Sequence, residues 1–340
     1  MSKLLAPLFF MLCVLFVGSL QSGEATVYAV TLSTSYTHTG QNHTQSGLFY
    51  RSLSDTVWHF SGRPNNRAYN VDRFAPANGR ILGLATHNGV QMSWDGGKTW
   101  KVTSDWRMTE VNNIRFHPTD SSIVYATSPY GFYKSIDGGH SWTQHNLGLN
   151  NVDATFVSSL FLDSRNPDTI VISTEDGVYR STDAGQKWQR LGLAVRNIRI
   201  VVQNPQKPEL MFAGTEDNGI YASLNNGENW EKCDTGVMHN TFYALAFDPQ
   251  QPTTLYAGGF QTGVYQSTDS GKTWKHHFRG LDDLDIHSLA VDPFNGRRIY
   301  AGTINSGVYL SEDSGKSWDF IGVDKGHVWG LTIKTNEEQP

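Results

Sequence analysis

The chain has 340 residues, with 27 Lys and Arg against 32 Asp and Glu for a net charge of −5, and 38% hydrophobic residues. A mildly acidic balance without a like-charge run argues against wholesale nucleic-acid binding, so no nucleic-acid partner is expected. Of the two cysteines, Cys13 lies in a leader and Cys233 stands alone after it; an internal disulfide is excluded and stability must come from packing.

In chain order, residues 1–25 read as a signal peptide: Lys3, an apolar run from Leu4 to Val17, then Gly23-Glu24-Ala25. The run is shorter than the roughly 20 residues that span a bilayer, so no membrane span is expected after cleavage. Cys13 lacks the small residue that precedes a lipidated cysteine. The mature chain is expected to begin near Thr26 and to be secreted or periplasmic.

From there one pattern returns: S-x-[DN]-x-G-x-x-W at Ser93–Trp100, Ser135–Trp142, Ser181–Trp188, Ser223–Trp230, Ser267–Trp274 and Ser311–Trp318. The serines recur every 42 to 46 residues, the length of one four-stranded propeller blade. A decayed copy precedes the first, with Gly47-Leu48-Phe49 matching Gly177-Val178-Tyr179 and Trp58 matching Trp188, but the Asp and Gly lost.

The last blade shows the grammar. Ile286–Asp292 alternates into a first strand, Arg298–Thr303 makes a second, Gly307–Ser311 a third and Trp318–Ile321 a fourth. Asp292-Pro293, Asp248-Pro249, His117-Pro118 and Ala75-Pro76 end first strands, because proline cannot continue a central ladder. The first blade enters at a second strand, Thr26–Leu32, while His327–Ile333 follows the last blade and reads like Thr241–Phe247. An all-β, seven-bladed β-propeller with four-stranded blades is expected over residues 26–335, its ring closed by the C-terminal strand in blade one. Residues 336–340 are a tail.

Asp95, Asp137, Asp183, Asn225, Asp269 and Asp313 sit in the turn between strands three and four. A carboxylate or amide oxygen there accepts bonds from turn N–H groups, glycine supplies positive φ, and the Trp packs between blades. Calcium needs six to eight oxygens where each turn offers about one carboxylate, so these residues are structural and no metal or cofactor is expected.

On these residues the chain resembles the Asp-box (BNR) repeat proteins: sialidases, sortilin-type propellers, xyloglucan-cleaving endoglucanases and the photosystem II assembly-factor family. The resemblance covers Thr26 to Thr335 and implies the fold rather than the function. Asn225 departs from the motif's Asp. No Arg-Ile-Pro or Arg-Leu-Pro tripeptide is present and seven blades replace six, which sets the chain apart from sialidases. A single propeller lacks the cleft between two that xyloglucanases use, and the cysteine-rich module and membrane span of sortilin-like receptors are missing.

Chemistry is expected at the channel mouth, on the face opposite the motif turns. Aligning first strands places Asn70, Asn112, Ser158, Arg196, Tyr243, His287 and Trp329 at one position, and makes Arg73, Arg115 and Arg199 equivalent three positions along. Arginines suit an anionic group and aromatics a ligand face. The alternative is a water-filled or salt-bridged tunnel wall. The longest channel-side loop, Ser33–Ser46, adds Tyr36, His38 and His43, and Asn42-His43-Thr44 is a glycosylation sequon. Acidic pairs at Glu175-Asp176, Glu216-Asp217 and Asp282-Asp283 map to the same face, as solvated turns or as general acid and base.

Two functions remain. The first is a non-catalytic binding or assembly module, monomeric, that takes a protein or glycan partner of anionic character through the channel mouth. The second is a lyase or glycoside hydrolase for acidic polysaccharide, in which Arg196 and Arg199 bind a uronate and Tyr243 and His287 are the catalytic candidates.

Overall fold

The computed structural model describes residues 25–33, 46–61, 67–74 and 80–335. The leader, Tyr36, His38, the sequon with Asn42 and His43, Ala75-Pro76 and the 336–340 tail lie outside the described residues.

Seven four-stranded antiparallel sheets make up the molecule. The last uses Ile286–Val291, Ile299–Thr303, Val308–Ser311 and Asp319–Gly322, within two residues of the sequence expectation. Blade one takes its innermost strand from the C-terminus: Gly326–Thr335 pairs with Ala25–Ser33, from Ala25 opposite Thr335 to Ser33 opposite Gly326. The ring therefore closes through the C-terminal strand, as the missing first strand requires. One short helix, Val152–Thr155, precedes blade four, its N-terminus capped by the Asn151 side chain accepting from the Ala154 N–H at 2.8 Å.

The second strands are buried on both faces, as in Val124–Ser128, Met211–Thr215 and Leu255–Gly259, because each blade is covered by a neighbour on either side. That explains their near-continuous apolar and small residues. The hydrophobic cores accordingly lie between blades. Ala244, Tyr256 and Val264 of blade six pack with Ile286, Leu289 and Trp318 of blade seven, and Tyr300 and Val308 pack with Val27, Ala29 and Val328 of blade one. Each fully buried side chain such as Phe212 or Phe242 contributes roughly 1.5–3 kcal/mol. Gly258 permits the close approach, since a Cβ there would sit 2.5 Å from Ile286 Cγ2 of the next blade.

The repeat turns are nearly superimposable in their bonding. In blade six the Ser267 hydroxyl donates to Asp269 Oδ1 at 2.8 Å and accepts from the Gly271 N–H at 2.9 Å; the Thr273 N–H donates to Asp269 Oδ1 at 2.9 Å. Asn225 receives the corresponding bonds from Ser223 and the Asn229 N–H. Gly271 has φ +79°, and a Cβ on it would lie 2.3 Å from Phe212 Cε1, so both backbone and packing require glycine. Several Trp indoles reach the preceding blade, Trp188 donating to the His145 carbonyl at 3.0 Å and Trp274 to that of Cys233 at 2.7 Å, whereas Trp230 donates to the Gly227 carbonyl of its own turn at 2.9 Å. Even in the decayed copy, Trp58 donates to the Ile321 carbonyl at 3.0 Å.

Candidate functional site

The inner strands line a central channel of about 740 Å³. Five inner strands show a register shift at the same point, skipping Tyr69, Ser158, Arg199, Tyr243 and His287. The closing strand skips Trp329 likewise. In blade three Asn112 stands at that point, just ahead of the strand Asn113–Phe116. A bulge leaves one residue unpaired and re-aims its side chain, and here all seven face the channel.

This register corrects the sequence alignment in two blades. Tyr69 rather than Asn70 represents blade two, and Arg199 rather than Arg196 represents blade five. Arg73, Arg115 and Arg199 are not equivalent to one another: Arg199 is a bulge residue, while Arg115 pairs opposite Tyr125 and Arg73 opposite Leu82. The alignment had no marker for the unpaired residue, so its register slipped by one residue in blade two and by three in blade five. The dependable marker is the residue before the bulge. Ala68, Val111, Val157, Ile198, Phe242, Ile286 and Val328 are all fully buried, each anchoring its strand in the core.

Arg115, Arg199, Tyr243, His287 and Trp329 thus line one channel, together with Asn70, Asn112 and Ser158. Arg73 is elsewhere: buried at the seam of blades one and two, it donates to the Thr335 carbonyl at 2.6 Å. Arg196 is exposed outside the channel lining and pairs with Asp153 of the short helix. Tyr69 and His327 are among the residues sequence reasoning missed, together with Arg67, His87 and Glu110 of the lining.

Aromatic rings form an arc on one side of the mouth. Tyr243 lies 4.7 Å from His287, His287 is 4.7 Å from His327, His327 stacks on Trp329 at 4.4 Å, and Trp329 meets Tyr69 edge-on at 5.3 Å. Burial, the neighbouring His327 and Arg199 push His287 down to about 3, and burial pushes His327 down to about 4, so both imidazoles are neutral near pH 7. Burial and the Glu216 carboxylate raise the Tyr243 hydroxyl. Arg199 Nε donates to Glu216 Oε2 at 2.7 Å, and Arg115 Nη1 donates to Asn70 Oδ1 at 2.7 Å and to the Ile114 carbonyl at 2.8 Å.

The other acidic pairs are engaged locally. Asp176 accepts from the Tyr179 hydroxyl at 2.5 Å and pairs with Arg190 at 3.1 Å; Asp283 accepts from the N–H groups of Asp285 and Asn305. Among the described residues no group of three or more His, Cys, Asp or Glu is placed to hold a metal ion, and no helix is long and apolar enough to cross a membrane. Burial pushes the Cys233 thiol up to about 12.

The sortilin-Vps10 family (sortilin, neurotensin receptor 3) matches residues 176–261. The human GATOR2 complex protein WDR24 is 30% identical over 90 residues, which is 25% of this chain and 9% of that protein. An ancestral GH74 enzyme superimposes with a TM-score of 0.68 at 19% identity over 82% of this chain and 44% of its own, so the chain matches less than half of that enzyme. The extracellular domain of a one-component system from B. thetaiotaomicron gives 0.63 at 18% identity, covering 84% and 38% of the two chains. YCF48 bound to D1 peptide gives 0.57 at 18% identity, covering 74% and 80%. At such identities the likenesses concern the fold alone, and with the sheet order they establish a seven-bladed β-propeller built from four-stranded antiparallel blades.

Proposed function

We propose that this chain is an exported Asp-box propeller, secreted or periplasmic, that acts as a non-catalytic binding or assembly module and takes an anionic protein or glycan partner at the channel mouth. The observation that carries the reading is the convergence of Tyr69, Arg115, Arg199, Tyr243, His287 and Trp329 from separate blades on one channel, with His327 stacked on Trp329 to complete the aromatic arc. Such an arrangement joins flat aromatic faces to guanidinium donors, the components of a recognition site for a group with one apolar and one anionic part. YCF48, a propeller of similar fold, is known in a complex with a peptide, which supports a protein partner.

The acidic-polysaccharide enzyme has less support. A general base works best with a pKa near the working pH, whereas His287 at about 3 is a weak proton acceptor and Tyr243 is raised. Glycoside hydrolysis usually needs two carboxyl groups across a cleft. Glu110 is the one carboxylate on the channel lining among the described residues, while Glu216 is bonded to Arg199 of that lining. Calorimetric titration of acidic peptides and acidic oligosaccharides into wild type and Trp329→Ala tests the proposal. Binding that weakens in Trp329→Ala supports it; no binding, or binding indifferent to that change, sinks it.

A further inference from the structure

The decayed first repeat puts an arginine where the other six blades keep a serine. Ser93 pairs opposite Leu82, Ser181 opposite Ile170 and Ser311 opposite Ile299; at the matching point Arg51 pairs opposite Val27. The serines are consumed by their turns, each donating to the motif Asp or Asn. Arg51 has no such turn to join, because Leu53 occupies the position of the Asp.

Arg51 is 5% exposed, and its Nε is buried without a hydrogen-bond partner among the described residues. No described carboxylate forms an ion pair with it. Its neighbours are aromatic: Cζ lies 5.5 Å from the Trp58 ring centroid and 5.9 Å from that of Tyr300, whose phenol is also beside it. Cation–π contacts offset only part of the cost of burying a guanidinium that lacks an anion. Arg51 also borders a cavity of about 1360 Å³ at the seam of blades seven and one, separate from the channel.

The rest of that cavity narrows the ligand chemistry. Phe294 and Phe320, both on its lining, are 39% and 47% exposed. Arg298 pairs with Glu312 at 2.9 Å and lies 3.7 Å from Asp292, yet its Nε is likewise buried and unpartnered. Asp55, also on the lining, accepts from the Thr56 and Val57 N–H groups and contacts His59. Three carboxylates around two guanidiniums disfavour a dianion such as phosphate. A single carboxylate matches the geometry of a guanidinium fork such as that of Arg51, and the exposed rings on the lining suit an apolar body.

We propose that the seam of blades seven and one is a second binding site, for a monocarboxylate carrying an apolar or aromatic group, with Arg51 as its anion receptor. The carboxylate belongs either to a small organic acid or to the C-terminus of a peptide.

The test follows the Nε–H resonance of Arg51 by ¹⁵N NMR, and the melting temperature, while the protein is titrated with phenylacetate, with a tetrapeptide ending in Phe, with the amide of that peptide, and with inorganic phosphate. Both free carboxylates are expected to shift the resonance and raise the melting temperature, while the amide binds roughly tenfold or more weakly for loss of a charge-assisted contact. Tighter binding of the peptide than of phenylacetate identifies a chain terminus as the source, and equal binding a small acid. Arg51→Ser restores the residue the other blades carry, so the blade is expected to fold and the carboxylate response to vanish; Arg51→Gln gives a second variant with the same expectation. An unshifted Arg51 resonance with both carboxylates, a preference for phosphate, or an undiminished melting response in the folded variants overturns the proposal.

Discussion

Lys334 Nζ lies 2.7 Å from Asp72 Oδ1, tying the last strand of the chain to the inner strand of blade two. Asp72 is buried and its Oδ2 also accepts from the Phe116 N–H of blade three at 2.8 Å, so one carboxylate joins three consecutive blades. Arg73, its sequence neighbour, bonds the Thr335 carbonyl. The closure of the ring is therefore held by side chains as well as by the strand ladder. Burial works to raise the Asp72 carboxyl, but Lys334 and Arg115 outweigh it and hold it below its ordinary value.

Deleting residues 327–340 is expected to unfold the protein rather than trim it, since it strips the innermost strand of blade one and exposes the edge of Ala25–Ser33. Circular dichroism and a thermal melt check this. A truncated protein with an unchanged melting temperature contradicts closure by the C-terminal strand.

Lys334→Met takes from the buried Asp72 carboxylate its ion-pair partner, leaving Arg115 as the remaining cation, and is expected to cost up to about 3 kcal/mol, less than a fully buried pair because Lys334 is partly exposed. The pH dependence has a definite sign. Because the folded Asp72 titrates lower than an unfolded aspartate, its contribution is complete above the unfolded value and is lost as pH falls through the folded one. The stability gap between wild type and Asp72→Asn is thus expected to be constant near neutrality and to shrink in acid. Urea melts at several pH values measure it, and a gap that widens in acid counts against the pair.

Asp269→Ala is expected to lower stability by about 1–3 kcal/mol through the turn N–H groups it leaves unbonded, while channel binding is unaffected. Asn225 fills the same role in blade five, so Asp269→Asn should be the milder change. Equal losses for the two variants, or a binding defect in a variant that melts normally, would show that the turn face does more than hold the hairpin.

The blades and their closure were legible because the repeat encodes them locally: the serine, the Asp or Asn and the glycine of each turn bond in one way six times over. The channel was legible only in part. The sequence placed Tyr243, His287 and Trp329 at the bulge and misplaced the register of blades two and five, where Tyr69 and Arg199 stand, although the same bulge recurs in all these strands, because a bulge has no composition of its own to mark it. His327 pairs with Leu32 in blade one while its ring lies against His287 of blade seven, a contact fixed by the closed circle rather than by any neighbouring residue.

His287 and His327 carry a second pH effect of known direction. The unfolded chain takes up their protons near 6.5, but the folded imidazoles resist until about 3 and about 4. Stability is therefore complete above about 6.5 and falls as the solution is acidified below it. Replacing both with Phe is expected to flatten the decline of melting temperature between about pH 6.5 and 4. NMR titration that finds either imidazole protonating near 6.5 in the folded protein refutes this account.

Arg199 and Glu216 give the sharpest test of the channel mouth, because their pairing makes two substitutions act in opposite directions. Glu216 partly satisfies the guanidinium and sets a negative charge beside it. If Arg199 recognises an anionic group, Arg199→Ala removes the donor and leaves Glu216 to repel the ligand, so affinity is expected to fall roughly tenfold or more. Glu216→Gln removes the competitor, so affinity is expected to rise. Melting temperature should move little in both, because neither side chain is fully buried and a partly exposed pair contributes modestly to stability. Affinity in wild type should also weaken with added salt. Calorimetry against acidic peptides, uronate oligosaccharides and neutral oligosaccharides reads all three effects, with ultraviolet absorbance followed for the unsaturated product of a lyase. Opposite shifts without product support a binding module, and product formation replaces it with the enzyme. Equal affinity in all three proteins leaves Arg199 and Glu216 as a salt bridge in the channel wall.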